Sequence, residues 1–253
     1  MKSQSAYGFA FWLLLLLGWS APVMPAGFDE GLIAYYPFEG RDDSIRDAGG
    51  GEIDGNIQTS VRENRGKFGR GLRFPNKNAQ ARIPANPALT VQKDFTAAAW
   101  VFPTELDFAG ENRVIFTDQY NLDLLRGGGR LDLFSGGGWL GTRTGPELEL
   151  ENWHHIAGTF ESKTQSGAYY ANGKLIGRVA TNNATLDPSV SPLRLGFCCG
   201  LAGFVGILDE VRIYSRPLDE KEIAGLFEIN PGVFSVSLRD SLATTWANVK
   251  TNR

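Results

Sequence analysis

The chain has 253 residues, 42% of them hydrophobic and 21% charged, and 25 basic side chains stand against 28 acidic ones for a formal charge of -3. Nothing in that balance favours a nucleic-acid partner, and no run of Lys and Arg marks a basic patch. Glycine is abundant (31) and falls between short apolar runs, which predicts many turns joining short strands.

The first residues read as a targeting segment. Lys2 supplies a positive start, Phe9 to Leu17 an apolar stretch, and Ala26 a small residue at the cleavage point. The apolar stretch is too short for a stable membrane span, and no cysteine follows it to take a lipid. Residues 1–26 are therefore expected to be a signal peptide, and the protein is expected to be exported, whether to the periplasm, the cell surface or the medium. What remains fits one all-β domain over residues 27–229, about 200 residues and ample for a core.

Leu32 to Phe38 predicts a first strand, with Pro37 at its end. Glu39 to Gly55 is acidic and glycine-rich and reads as a long functional loop. Gly66 to Phe74 leads into Ala81–Pro84, and Asp94 to Phe102 is a small-residue strand anchored by Trp100. Val114 to Phe134 reads as a meander interrupted by Gly127-Gly-Gly129. Trp153 to Phe160 and Gly167 to Ala171 are strands, and Asn172-Gly173 is a strong two-residue hairpin signal because both turn positions need positive φ. Phe204 to Tyr214 alternates, which puts Val205, Ile207, Asp209, Val211 and Ile213 on one face and Leu208, Glu210, Arg212 and Tyr214 on the other. Pro217 closes this strand. Asp219 and Glu222 then form a capping box ahead of Ile223, Leu226 and Phe227, which predicts one short helix. In the tail, residues 230–253, Leu238, Leu242, Trp246 and Val249 recur at near-helical spacing. That pattern suits either a short amphipathic docking helix or a loosely held end.

Several of these segments carry a family resemblance. Gly31-Leu-Ile-Ala-Tyr-Tyr-Pro-Phe-Glu-Gly40, Gly66-Lys-Phe-Gly-Arg-Gly-Leu-Arg-Phe74 and Asp94-Phe-Thr-Ala-Ala-Ala-Trp-Val101 occur in that order. Asn152-Trp-His-His-Ile-Ala-Gly-Thr-Phe160, Tyr170-Ala-Asn-Gly-Lys-Leu-Ile176 and Gly206-Ile-Leu-Asp-Glu-Val-Arg-Ile-Tyr-Ser-Arg-Pro-Leu218 follow. Together they resemble the laminin G-like, concanavalin A-like jelly-roll domains of secreted bacterial proteins, across roughly residues 28 to 229. The resemblance implies an all-β sandwich of two antiparallel sheets with one short C-terminal helix, the last strand lying beside the first. It also implies a candidate calcium. Ca²⁺ takes six to eight oxygens, and a last strand antiparallel to the first would bring Asp209 toward Glu39 and Asp43 of the acidic loop. These three residues are the expected ligands. Pro75-Asn-Lys-Asn78 replaces the Asp-rich turn of many relatives, which speaks against a second metal.

Other residues invite chemistry. Cys198-Cys199 are adjacent, and in an oxidising compartment they suit a vicinal disulfide, two free thiols or a bridge to another chain. Trp139, within Gly136-Gly-Gly-Trp-Leu-Gly141, and Tyr120 are candidates to stack on sugar rings, with core positions as the alternative reading. Asn183-Ala-Thr185 matches a glycosylation acceptor, a match short enough to arise by chance. His154 and His155 are the two histidines and point to opposite strand faces, so both are expected to be structural. Glu147 and Glu149 superficially offer the paired carboxylates of a glycosidase, but Asn152 stands where the glucanase pattern wants its last acid. The reading is a non-catalytic exported module that recognises carbohydrate, with a structural calcium. Its alternative is an adhesion module that pairs with an extracellular protein, and a glycoside hydrolase ranks last.

Overall fold

The computed structural model describes residues 28–106, 111–125, 128–142, 145, 147–197, 200 and 203–229. The expected leader, the Cys198-Cys199 pair and the C-terminal tail lie outside these residues. The strands, in chain order, begin with β1 (Leu32–Tyr36), β2 (Ser44–Ile45), β3 (Gly55–Ile57), β4 (Val61–Glu63), β5 (Gly71–Phe74) and β6 (Ala81–Ile83). Next come β7 (Phe95–Glu105), β8 (Asn112–Phe116), β9 (Tyr120–Leu125), β10 (Gly128–Ser135) and β11 (Gly138–Gly141). The series closes with β12 (His154–Glu161), β13 (Ser166–Ala171), β14 (Lys174–Ala180), β15 (Leu193–Leu195), β16 (Val205–Tyr214) and the helix α1 (Glu220–Glu228).

They form two eight-stranded antiparallel sheets. One runs β14-β13-β12-β7-β16-β5-β4, with β1 also paired to β16, and the other runs β11-β10-β9-β8-β15-β6-β3-β2. The last strand does return beside the first: Leu32 faces Tyr214 and Tyr36 faces Val211. The core lies between the sheets, where leucines of β9 and β10 reach glycines on the opposite layer. A Cβ added at Gly158 would stand 2.8 Å from Leu122 and Leu131.

Local chemistry explains the turns. Asn172 and Gly173 adopt φ of 49° and 76°, and Ala171 pairs with Lys174 across them. Asp219 caps α1 and Glu222 bonds back to the Asp219 amide, as the sequence predicts. The helix lays Ile223 and Leu226 over Ala98, Ala157 and Ala168, small residues that let it approach the outer face of its sheet. Among the described residues, no helix is long and apolar enough to cross a membrane.

The alternation expected for β16 breaks. Asp209 pairs with Trp100 and Arg212 with Ala98, so a β-bulge lies between them, and Glu210 adopts φ of 57°. The extra residue flips the phase. Leu208 shares the inter-sheet core with Val211 and Ile213, whereas Asp209 leaves it.

Candidate functional site

The three expected calcium ligands do not form a cage. Asp209 is fully buried, and its two oxygens accept the amide N–H groups of Phe68 (3.0 Å) and Glu210 (2.8 Å). Glu39 accepts the amide of Arg70 at 3.0 Å. Both carboxylates therefore hold one loop, residues 66–70, and the first and last strands do place them near each other. Asp43 is exposed and engages through its carbonyl, which accepts the Ile57 amide. Among the described residues these three are not a group of converging carboxylates. The Asp209 and Glu39 carboxylates both serve backbone amides.

Burial, aided by neighbouring Glu210, pushes the Asp209 carboxyl up to about 9. A folded-state pKa above the unfolded one gives stability that is complete below the unfolded value and lost as pH rises through the folded one. The unfolding free energy of the wild type relative to Asp209→Asn should therefore fall steadily between about pH 4 and pH 9. Urea titrations of both proteins across that range check this; a flat difference would show that Asp209 does not titrate.

Tyr120 is corrected as well. It is fully buried and stacked on Phe95 with ring centroids 4.4 Å apart, so it belongs to the inter-sheet core. Both histidines are structural. His154 Nε2 donates to the Glu149 carbonyl at 2.9 Å and Nδ1 faces the Asn172 amide at 3.3 Å, while His155 is buried and held neutral, its pKa pushed down to about 3 by burial and then by Arg212. Glu147 and Glu149 do line a cleft of about 520 Å³ with His154, Lys174 and Phe227. The ring nitrogens of His154 are already occupied there, and Glu149 is bonded to Asn152 at 2.8 Å.

Trp139 lies outside the inter-sheet core. It is 45% exposed on the edge strand β11. Its ring stands 5.2 Å from Phe134 and 6.2 Å from Phe116, so the three make an aromatic platform on the outer face of the second sheet. The hairpin that presents it is fixed. Gly136 and Gly137 take φ of 65° and 79°, and the Asp187 carboxylate accepts both of their amides at 2.8 and 2.7 Å.

Next to this platform lies a network that the sequence reading missed. In β9 and β10, Asn121, Asp123, Arg130 and Asp132 alternate with Leu122, Leu124, Leu131 and Leu133. The leucines fill the core, so the polar residues share the outer face with Phe134 and Trp139. Arg113 donates to Asp123 at 2.7 Å and to Glu111, and Arg130 donates to Asp132 at 2.8 Å and to Glu111. Asn121 bridges Asp123 and Asp132 at 2.8 and 3.3 Å. Burial pushes the Asp123 carboxyl up to about 7, against the pull of Arg113. Glu111, Asp123 and Asp132 bring carboxylate oxygens within 4.8 Å of one another. Two guanidinium groups already balance that charge, which makes the cluster a poor cage for a cation.

The network is not self-sufficient. Arg113 Nε, Asn121 Oδ1 and Asp123 Oδ1 are buried without a hydrogen-bond partner among the described residues. Unpartnered polar atoms are costly inside a protein and usually await water or a ligand. A pattern of acid or amide at every second position across consecutive strands was the signal available in the sequence.

The family profile described as the concanavalin A-like lectin/glucanases superfamily, Laminin_G_3, matches residues 75–224. The chain belongs to this laminin G-like family. Solved structures share the fold. Domain 4 of AbnA, a GH43 extracellular arabinanase from Geobacillus stearothermophilus in complex with arabinotriose, aligns at 22% identity and TM-score 0.65 over 78% of this chain and 98% of that one. The binding domain of Paraclostridial Mosquitocidal Protein 1 aligns at 19% identity and TM-score 0.64, over 79% of this chain and 52% of that one. Trypanosoma rangeli sialidase in complex with the inhibitor DANA gives 19% and 0.58, over 82% and 33%. The laminin G-like chain thus spans about half of the mosquitocidal domain and a third of the sialidase. No curated protein matches the sequence.

Proposed function

We propose that the protein is a non-catalytic, exported recognition module that binds a glycan on the outer face of β8 to β11. One observation carries this reading: an exposed tryptophan packs against two phenylalanines on the outer face of the second sheet, beside the charged network of β8 to β10. Stacking takes the apolar face of a sugar ring, and hydroxyls suit charge-bearing acceptors and donors. Support also comes from domain 4 of the arabinanase, which has this fold and holds arabinotriose. The targeting segment expected at residues 1–26 would fit a ligand found outside the cytoplasm.

Trp139→Ala should weaken glycan binding about 10- to 100-fold, the usual range for a central aromatic anchor, without changing the thermal midpoint. A glycan array followed by titration calorimetry on the full chain checks this. Retained affinity in the variant, or capture of an extracellular protein with no sugar bound, would favour the adhesion reading. Hydrolysis of an oligosaccharide that disappears in Glu149→Gln would instead revive the glycosidase reading.

A further inference from the structure

The aromatic platform continues sideways into a pair of arginines. Phe116 on β8 pairs with Arg194 on β15, Arg194 pairs with Arg82 on β6, and Arg82 pairs with Asn56 on β3. Residues directly opposite in a ladder point to the same side of the sheet. Leu193, Leu195, Ala81 and Ile83, the neighbours along each strand, are fully buried in the core, so both arginines face outward. Trp139, Phe116, Arg194 and Arg82 therefore form one continuous row on the outer face.

Two like charges directly opposed on adjacent strands are unfavourable unless something lies between or above them. Arg194 rests over the Phe116 ring, its guanidinium carbon 5.7 Å from the centroid, with Asp118 at 3.7 Å. Arg82 is exposed and has no ion-pair partner among the described residues. Neither arginine contributes to the inter-sheet core. Forked guanidinium donors match the oxygens of a carboxylate or a sulfate.

We infer that Arg194 and Arg82 form a subsite for an anionic substituent, a carboxylate or a sulfate ester, carried by the same glycan that stacks on Trp139. This rests on the glycan reading above and names the class of sugar. Neighbouring strands lie about 4.8 Å apart, close to the length of one sugar unit, so an oligosaccharide crossing the strands would place its charged unit a few residues from the stacked one.

The test is calorimetry on the full chain with three oligosaccharides of equal length: a galacturonate oligomer, a sulfated galactose oligomer and an uncharged galactose oligomer. At low salt, at least one charged oligomer should bind about tenfold more tightly than the uncharged one, and the preference should shrink as salt rises. Arg82→Gln should remove the preference and leave the affinity for the uncharged oligomer as it was. Whichever charged oligomer binds identifies the anion. Equal binding of charged and uncharged oligomers, or a preference that survives Arg82→Gln, would overturn the subsite while leaving the platform in place. Binding that is indifferent to Trp139→Ala but lost in Arg82→Gln would remove the platform and keep the anion subsite. No binding by any of the three would overturn both.

Discussion

Arg212→Met is expected to destabilise the protein by about 3–5 kcal/mol, the range seen when one member of a buried ion pair is removed. Arg212 and Glu210 are both almost completely buried and lie 2.8 Å apart on the outer face of the first sheet. Tyr35 donates its hydroxyl to the same Glu210 oxygen at 2.7 Å, and the Arg212 guanidinium lies over the Tyr35 ring at 4.2 Å. Without Arg212, burial would leave the Glu210 charge with one neutral donor, so the carboxyl would have to protonate or drag in water. The double variant Glu210→Leu with Arg212→Met should recover most of the loss, because it leaves no charge unpaired. Urea unfolding of the three proteins decides the matter. A single variant as stable as the wild type would mean that the pair is solvated in solution.

Gly196→Ala is the second large effect, with an expected loss of about 2–5 kcal/mol from a left-handed backbone combined with overpacking. Gly196 follows β15 with φ of 86°, and a Cβ there would run into the buried Phe74 ring and stand 2.9 Å from the Ala79 carbonyl. The backbone carbonyl cannot step aside as a side chain can. Gly196 also ends the strand that bears Arg194, so the same substitution should blunt any preference for a charged sugar. Denaturant midpoints measure the first consequence and calorimetry the second. A stable Gly196→Ala protein would show that this turn relaxes freely.

Local grammar was legible in the sequence. Asn172-Gly173 announced its turn, Asp219 and Glu222 their helix, and the motif order the pairing of first and last strands. What failed was anything that depends on a phase shift or on distance in space. One extra residue at Glu210 moved Leu208 into the core and Asp209 out of it, and no propensity reveals a bulge of that kind. Glu39 and Asp209 did approach, and the amides of Phe68 and Arg70 engage their carboxylates, contacts invisible before the loop is folded. Tyr120 sat after a polar turn and still filled the core, because Phe95 on the opposite sheet offered it a stacking partner. The charged network escaped notice for a simpler reason: its members come from three strands, and each strand alone reads as ordinary alternation.

The position of β16 has a consequence for how the molecule acquires its shape. It is the last strand described, yet it lies inside its sheet and serves β7, β5 and β1 at once. The bond from Tyr35 to Glu210 joins residues 175 positions apart. Until this segment is made, β7 and β5 have no neighbour between them and β1 has none at all, so the sheet cannot close progressively from the N-terminus. Such long-range pairing makes folding slow. The first sheet is therefore joined across its middle only by β16, after every other strand of that sheet in chain order.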